Sequence, residues 1–374
     1  MNYNRNYLKN SLFLHFILHN MTAIQTQDYT INFNQKSYDN LNQQINNKNY
    51  SSIFILTDSN TNKHCSSQLL TNINTDIRIE ILEIEPGEQH KNLDTCSSLW
   101  KALSELGADR KSLMINLGGG VVTDLGGFVA CCYQRGIDFI NIPTTLLSMV
   151  DASIGGKNGV DLGALKNQIG IIKTPVMVLI DTSFLNSLPQ RDLRSGLAEM
   201  IKHGLINNPK HYSDLQNLSN LTLEDLDWLI YDSINVKKEI VEKDPTEQNL
   251  RKTLNFGHTL GHAIESYYLN QVDKALLHGE AIAIGMVLES FLSHKILGLD
   301  INSVEKIKSF LIKTFGQPKI DPKDFEGIIG LMKHDKKNEN GKIKFVLLEN
   351  IGTCKINQEA PNDLVIKSFE FYNN

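Results

Sequence analysis

The stretch Gly257-His258-Thr259-Leu260-Gly261-His262-Ala263-Ile264-Glu265 places two imidazoles four residues apart, a spacing that sets both on one helix face, one turn apart. Such a pair invites a divalent metal, although Thr259 stands where an H-E-x-x-H helix would carry its glutamate. Two further candidates flank the pair: Glu199 in Gly196-Leu197-Ala198-Glu199-Met200-Ile201-Lys202-His203, and His278 in His278-Gly279-Glu280. A carboxylate and histidines from three helices would complete an open zinc site, with three protein ligands and one position for substrate. Spacing leaves open whether His262 or His278 is the third ligand. The unused histidine would lie close to the metal and suit proton transfer near neutral pH.

A second set of residues suits anions. An apolar run at 113–117 enters Gly118-Gly119-Gly120-Val121-Val122-Thr123-Asp124-Leu125-Gly126-Gly127. Glycines at a strand-to-helix turn let backbone N–H groups approach a pyrophosphate, and the helix N-terminus adds positive potential. Thr123 replaces the last glycine of the G-x-G-x-x-G fingerprint, so a merely tight turn is the competing reading. Asp58-Ser59-Asn60 and Pro86-Gly87-Glu88-Gln89-His90-Lys91 also follow strand ends, where ligands of open α/β sheets lie, though each alone reads as a solvated loop. Pro143-Thr144-Thr145, the 151–159 segment and Lys166-Asn167-Gln168 add glycines, the point charges of Lys157 and Lys166 and the amide of Asn167, a combination suited to phosphate. Arg135 could add a fork of donors, but locally it reads as a surface arginine. Lys237, Asp244, Glu247, Arg251 and Asn255 are bunched before the histidine helix, and Asp335-Lys336-Lys337-Asn338 precedes the last strand. As isolated charges most of these read as solvated, and only a shared cleft would make them a site.

A scaffold must bring these segments together. Apolar, β-branched runs at 53–57, 77–84, 113–117, 139–142 and 176–180, separated by helix-length stretches, predict a parallel sheet with helices on its faces; 29–33 alternates as a further strand. From about residue 185 the period becomes that of amphipathic helices, at 196–205, 223–241, 253–267, 279–297 and 304–314, with 342–348 as a late strand. The expectation is an α/β N-terminal half over 21–185 and a helical half over 186–374, with the ligand in the cleft between them.

Composition narrows the function classes. The 374 residues carry 37 basic and 42 acidic side chains, a net charge of −5, which offers no global attraction to nucleic acid or an anionic membrane. An anionic ligand must therefore be held by a local cluster. No run reaches the roughly 18 apolar residues of a membrane-spanning helix. Five cysteines, Cys65, Cys96, Cys131, Cys132 and Cys354, are scattered with no C-x-x-C pair, which argues against a disulfide framework or a cysteine zinc site and makes the reducing cytoplasm the default. Arg5 and Lys9 precede an apolar run at 12–18, as in a short signal peptide, but no small-x-small cleavage site follows and His15 and His19 interrupt or border the run. Residues 1–20 are read as a disordered extension ahead of Met21.

The segments 118–127, 143–157, 196–204, 244–265, 278–286 and 335–338 occur in the order and spacing of the 3-dehydroquinate synthase family, and the resemblance spans residues 27–355. Glycerol and iron-type alcohol dehydrogenases and other sugar-phosphate cyclases share that fold but not the whole set of lysine, arginine and asparagine positions. The resemblance implies an α/β N-terminal NAD-binding domain followed by an all-α C-terminal metal-binding domain, as a homodimer. It implies Glu199, His258 and His278 as ligands of zinc, or of cobalt in its place, and His262 as the nearby acid/base. The matching NAD positions are Asp58, Asn60, Glu88, Lys91, Gly119, Gly120, Val121, Asp124, Thr144, Thr145, Lys157, Lys166 and the turn with Phe184 and Ser187. Lys157, Asn167, Asn255 and Lys336 (Lys337 is the alternative) match the phosphate side, with Arg135 reaching in from the second subunit; Lys237 and Arg251 match the carboxylate side. Asp151, Lys202 and Glu247 match further catalytic positions. The implied reaction converts 3-deoxy-D-arabino-heptulosonate 7-phosphate into 3-dehydroquinate and phosphate through transient oxidation by NAD, phosphate elimination, re-reduction and intramolecular aldol closure. A small sugar phosphate is then the only partner besides a second copy, with no nucleic acid and no membrane. The alternatives are a related cyclase, a metal-dependent polyol dehydrogenase, which would turn over free NAD, and a catalytically silent NAD-binding protein, which need not retain the metal and lysine positions together.

Overall fold

Short apolar runs in the first half form the strands β1 (Ile24–Gln25), β2 (Thr30–Phe33), β3 (Ile53–Asp58), β4 (Ile79–Ile84), β5 (Leu113–Gly118), β6 (Asp138–Pro143), β7 (Lys157–Leu162), β8 (Leu165–Ile172) and β9 (Met177–Ile180). The helices between them are α1 (Asn34–Lys48), α2 (Ser59–Asn72), α3 (Leu93–Glu105) and α4 (Gly120–Cys132). This is a computed structural model, and it describes residues 21–163, 165–217, 223–269, 271–332 and 343–374. The extension at 1–20 and the Asp335-Lys336-Lys337-Asn338 segment lie outside the described residues.

Seven strands form one sheet in the order β1-β2-β9-β6-β5-β3-β4, parallel except where β1 meets β2. Ile53 and Ile55 of β3 enter a core shared with Leu41 and Ile45 of α1 and Leu69 of α2, while Phe54 and Leu56 enter a second core with Leu99 of α3 and Leu125 of α4. Both faces are covered, so the strands read as unbroken apolar runs rather than as alternation. Strand β4 pairs on one side of β3 and β5 on the other. The winding therefore reverses between β3 and β5, and their carboxyl ends, at Asp58 and Gly118, frame the crevice where open α/β sheets take ligands.

Residues 157–172 show no strand period, yet β7 and β8 form an antiparallel hairpin. Gly159 and Gly170 face each other across it, so close that a Cβ on Gly170 would stand 2.5 Å from the Asn158 carbonyl oxygen. Small residues make the pairing possible and also hide it from a hydrophobic pattern.

The second half is largely helical: α5 (Gln190–Ile206), α6 (Pro209–Gln216), α7 (Leu223–Lys243), α8 (His258–Tyr268), α9 (His278–Leu297), α10 (Ile301–Phe315), α11 (Phe325–Met332) and α12 (Asn362–Asn373). The late strand falls at β10 (Phe345–Asn350) and pairs with β11 (Thr353–Gln358), whose sparse apolar residues gave no strand signal. Helix α8 starts five residues later than its pattern predicts, because Leu250–Asn255 winds as a tighter 3-10 turn. Ile31 in the sheet and Leu197, Leu260 and Val287 in the helices belong to one continuous core, so no polar seam separates the halves.

Candidate active site

Three helices meet where small residues allow it. Gly279, the second residue of α9, lies against α5, and its N–H donates to Ser195 Oγ at 2.9 Å. Ser195 is one helical turn before Glu199, and Gly279 follows His278. Between α8 and α9, a Cβ on Gly285 would stand 1.9 Å from the Gly257 carbonyl oxygen, so the two backbones touch. The buried carboxylate of Glu289, on α9, accepts the N–H of Gly257 at 2.7 Å and of Leu260 at 3.2 Å. It supplies partners for donors that a helix N-terminus leaves unpaired, and it fixes the turn that presents His258.

These packings converge on Glu199. The glutamate is wholly buried, and its Oε1 lies 3.4 Å from His258 Nε2 and 3.6 Å from His278 Nε2. Ligands about 2.0–2.1 Å from a tetrahedral ion stand roughly 3.3–3.5 Å from one another, so these spacings fit a divalent metal. Glu199 Oε2 is ion-paired with Lys202, which leaves Oε1 as the oxygen facing both imidazoles. The His258 Nδ1 lies 3.0 Å from the Phe256 carbonyl oxygen and the His278 Nδ1 3.2 Å from Glu265 Oε2. Each acceptor takes the proton of Nδ1, so that Nε2, the nitrogen facing Glu199, is the one a metal would engage. His262 is in the same cluster: its ring centre is 5.0 Å from that of His258 and 5.6 Å from that of His278, and one nitrogen from each of the three rings falls within 4.8 Å of the others.

The electrostatics separate the histidines. Burial, with Lys202 adding repulsion, pushes His258 down to about 4. Burial acts on His278 in the same direction, but Glu265 and Glu199 lift it to about 9. A second acidic group, Asp151, Glu199 and His203, also gathers within 4.8 Å. Its carboxylates already face ammonium groups, with Lys202 ion-paired to Glu199 and Lys237 Nζ 2.6 Å from Asp151 Oδ1.

The remaining cations follow the same rule. Lys157 pairs with Glu247, whose other oxygen accepts from Asn255 Nδ2 at 2.9 Å. Lys166 reaches Glu265 at 2.6 Å and Glu88 at 3.4 Å. Lys91 is buried between Asp124, at 2.6 Å, and the Asn167 Oδ1, at 2.7 Å. Arg251 corrects the expectation of a solvated charge: it is 1% exposed, and its guanidinium donates to the Gly155 and Pro245 carbonyls. Asp244 also departs from that reading, accepting the backbone N–H groups of Gln248, Asn249 and Arg251 and so shaping the turn that holds Glu247. Glu247 and Asn167 both sit at positive φ, +60° and +52°, and backbone strain in non-glycine residues concentrates at functional sites. Asp151 lies on a π-helical turn, Ser148–Ala152, another local irregularity that favours such places.

On the sheet side, α4 begins at Gly120 with no side-chain cap and no acidic residue in its first turn. It follows directly on β5 at the β3/β5 crevice, where the Thr144 N–H donates to the Gly118 carbonyl, and an uncapped helix N-terminus of this kind suits an anion such as a pyrophosphate. Asp58 caps α2 through the Thr61 N–H at 2.8 Å, and Asn60 is exposed beside it. Val121, in the first turn of α4, and Thr145 are half-buried and Ser187 is exposed, whereas the Phe184 side chain packs in the core. Arg135 is exposed and touches none of these groups, and Lys336 lies outside the described residues. Sequence reasoning gave no role to Glu265, Glu289 or Ser195. Glu265 was detectable, since His258, His262 and Glu265 at i, i+4 and i+7 share a helix face; the other two act through packing that has no local signature.

Residues 81–195 match the family described as 3-dehydroquinate synthase N-terminal, and residues 196–338 match 3-dehydroquinate synthase C-terminal. The chain is 42% identical over 325 residues to a 3-dehydroquinate synthase of Parabacteroides distasonis, covering 86% of this chain and 92% of that protein. Its fold is shared with a 2-deoxy-scyllo-inosose synthase solved with carbaglucose-6-phosphate, NAD+ and Co2+, at 24% identity and a TM-score of 0.83 over 94% of this chain and 99% of that one. A 2-epi-5-epi-valiolone synthase from Streptomyces hygroscopicus, solved with NAD+ and Zn2+, aligns at 24% identity and a TM-score of 0.82 over the same shares.

Proposed function

Because the chain belongs to the 3-dehydroquinate synthase family of sugar-phosphate cyclases, we propose that it converts 3-deoxy-D-arabino-heptulosonate 7-phosphate into 3-dehydroquinate and phosphate, with NAD and a divalent metal, zinc or cobalt, as cofactors. The observation that carries this reading is one connected set of side chains holding a Glu-His-His donor cluster and two separate cationic groups. A simple dehydrogenase has no use for both cationic groups, whereas a substrate with a phosphate at one end and a carboxylate at the other needs them.

When bound, NAD supplies a hydride acceptor and donor, and the metal supplies Lewis acidity at the alcohol oxygen being oxidised. Glu199, His258 and His278 hold the metal, and His262, beside them, holds and moves the alcohol proton. Asp58, Asn60, the Gly119-Gly120-Val121 turn, Thr144 and Thr145 line the nucleotide crevice, with Glu88, Lys91, Asp124 and Lys166 bracing its inner side. Lys157, Asn167 and Asn255, with Lys336, take the phosphate end and neutralise the charge that builds as it leaves. Lys237 and Arg251 take the carboxylate. Asp151 and Glu247 balance Lys237 and Lys157 until substrate arrives, while Lys202 balances the buried Glu199, so the site carries little uncompensated charge beforehand.

We further infer a homodimer, in which Arg135 completes the phosphate group of the neighbouring copy. The exposed Leu162, Leu165, Ile171 and Ile172 of the β7–β8 hairpin offer it apolar surface. Five unpaired cysteines suit the cytoplasm, and no helix among the described residues is long and apolar enough to cross a membrane.

The test is to incubate the metal-loaded protein with catalytic NAD and 3-deoxy-D-arabino-heptulosonate 7-phosphate. Stoichiometric phosphate and 3-dehydroquinate without net NADH are expected. Absence of phosphate release from folded protein carrying metal and NAD would overturn the reading and direct the search to other sugar phosphates and polyols.

A further inference from the structure

The two histidines that face Glu199 are oriented by unlike devices. His258 Nδ1 meets the Phe256 carbonyl, a backbone group two residues away in its own turn. His278 Nδ1 meets the side chain of Glu265, on a different helix. Glu265 is 5% exposed, and its second oxygen is held at 2.6 Å by Lys166, which projects from β8 in the sheet half of the chain and also lies 3.4 Å from Glu88. One ring is thus fixed by local backbone, and the other depends on a carboxylate that a distant hairpin keeps in place.

We infer that Glu265 is a positioning residue for metal binding, aiming His278 Nε2 at the ion through its hydrogen bond to Nδ1, and that Lys166 holds Glu265 in that pose across the two halves. The inference rests on the metal reading above and adds two residues to it. An imidazole offers its Nε2 lone pair only while Nδ1 carries the proton, and an ionised carboxylate at Nδ1 enforces that tautomer and fixes the ring plane. Without Glu265, His278 could rotate or place its proton on Nε2, and one of three ligands would be lost for part of the time. Without Lys166, Glu265 keeps its chemistry but loses its anchor, so a residue that never touches the metal influences how tightly it is held.

The experiment measures zinc affinity of the full-length protein by chelator competition, alongside the thermal midpoint of each metal-free variant and the visible spectrum of each cobalt-substituted form. Removing an outer hydrogen-bond partner of a ligating histidine weakens metal binding by about 10- to 100-fold. Glu265→Gln should fall in that range and Lys166→Met near its lower end, with metal-free midpoints close to the parent and altered cobalt spectra that a general loss of stability would not produce. Glu265→Asp, which retains a carboxylate, should recover part of the loss. Zinc affinity and cobalt spectra equal to the parent in both Glu265→Gln and Lys166→Met would overturn the inference while leaving the metal site intact. A parent protein that retains no stoichiometric zinc would overturn the metal reading and this inference with it.

Discussion

Gly279 and Ser195 touch so closely that a Cβ on the glycine would stand 2.0 Å from the serine carbonyl oxygen. The contact joins α9 to α5 within one turn of Glu199 and directly beside His278, so the spacing of two candidate ligands is set by the absence of one side chain. Gly279→Ala must push the helices apart, and overpacking of this kind costs about 1–3 kcal/mol. We expect a lower urea midpoint and weaker zinc retention together. Full zinc stoichiometry at parental affinity would show that α5 and α9 can separate without disturbing the ligands.

The histidine cluster gives a sharper contrast. His278→Ala should lower zinc content as well as activity, because Glu199 Oε1 faces His278 Nε2 at 3.6 Å. His262→Ala should retain zinc and lose about 100-fold or more in kcat, the usual range for a general acid or base. Metal analysis of the two variants checks the assignment; the opposite pattern would exchange the roles of His262 and His278.

Arg251 is both buried and hydrogen-bonded to two backbone carbonyls. Arg251→Ala should raise KM for the acidic substrate and also destabilise the fold, by about 2–4 kcal/mol, because it leaves the Gly155 and Pro245 carbonyls without their donor. Denaturant titration and steady-state kinetics on the same sample separate the effects. Parental KM with reduced stability would restrict Arg251 to bracing the loop.

Lys157 sets a pH dependence. Although about half of the side chain is exposed, crowding by protein around its ammonium, with Arg251 adding repulsion, pulls it down to about 8 even though Glu247 draws it the other way. The folded value lies below the ordinary lysine value of about 10.4, so the folded state binds fewer protons than the unfolded one between about 8 and 10.4, and this residue's contribution to stability rises with pH across that window. Phosphate binding runs the opposite way, since it needs the ammonium. We expect kcat/KM to fall as pH rises through about 8, and Lys157→Arg, charged throughout, to shift that limb upward. An alkaline limb unmoved by the arginine would assign it to another group.

Sequence by itself determined most of the sheet strands and long helices, though not the β7–β8 hairpin or β11, and the kinds of residue available for chemistry. The runs at 53–57 and 113–117 read as strands of a sheet with helices on its faces, the 118–120 glycines as a turn between strand and helix, and His258 and His262 as neighbours on one helix face. These follow from local covalent geometry and periodicity. Which histidine faces Glu199 was decided by tertiary structure, because the answer lies in the Gly279 contact between helices more than eighty residues apart in the chain. The same holds for Lys91, Lys202, Lys237 and Arg251. A lone charge in a sequence reads as solvated, since burying it unpaired is prohibitive, and the partners that make burial tolerable, Asp124, Glu199, Asp151 and the Gly155 and Pro245 carbonyls, are mostly brought to it only by the fold.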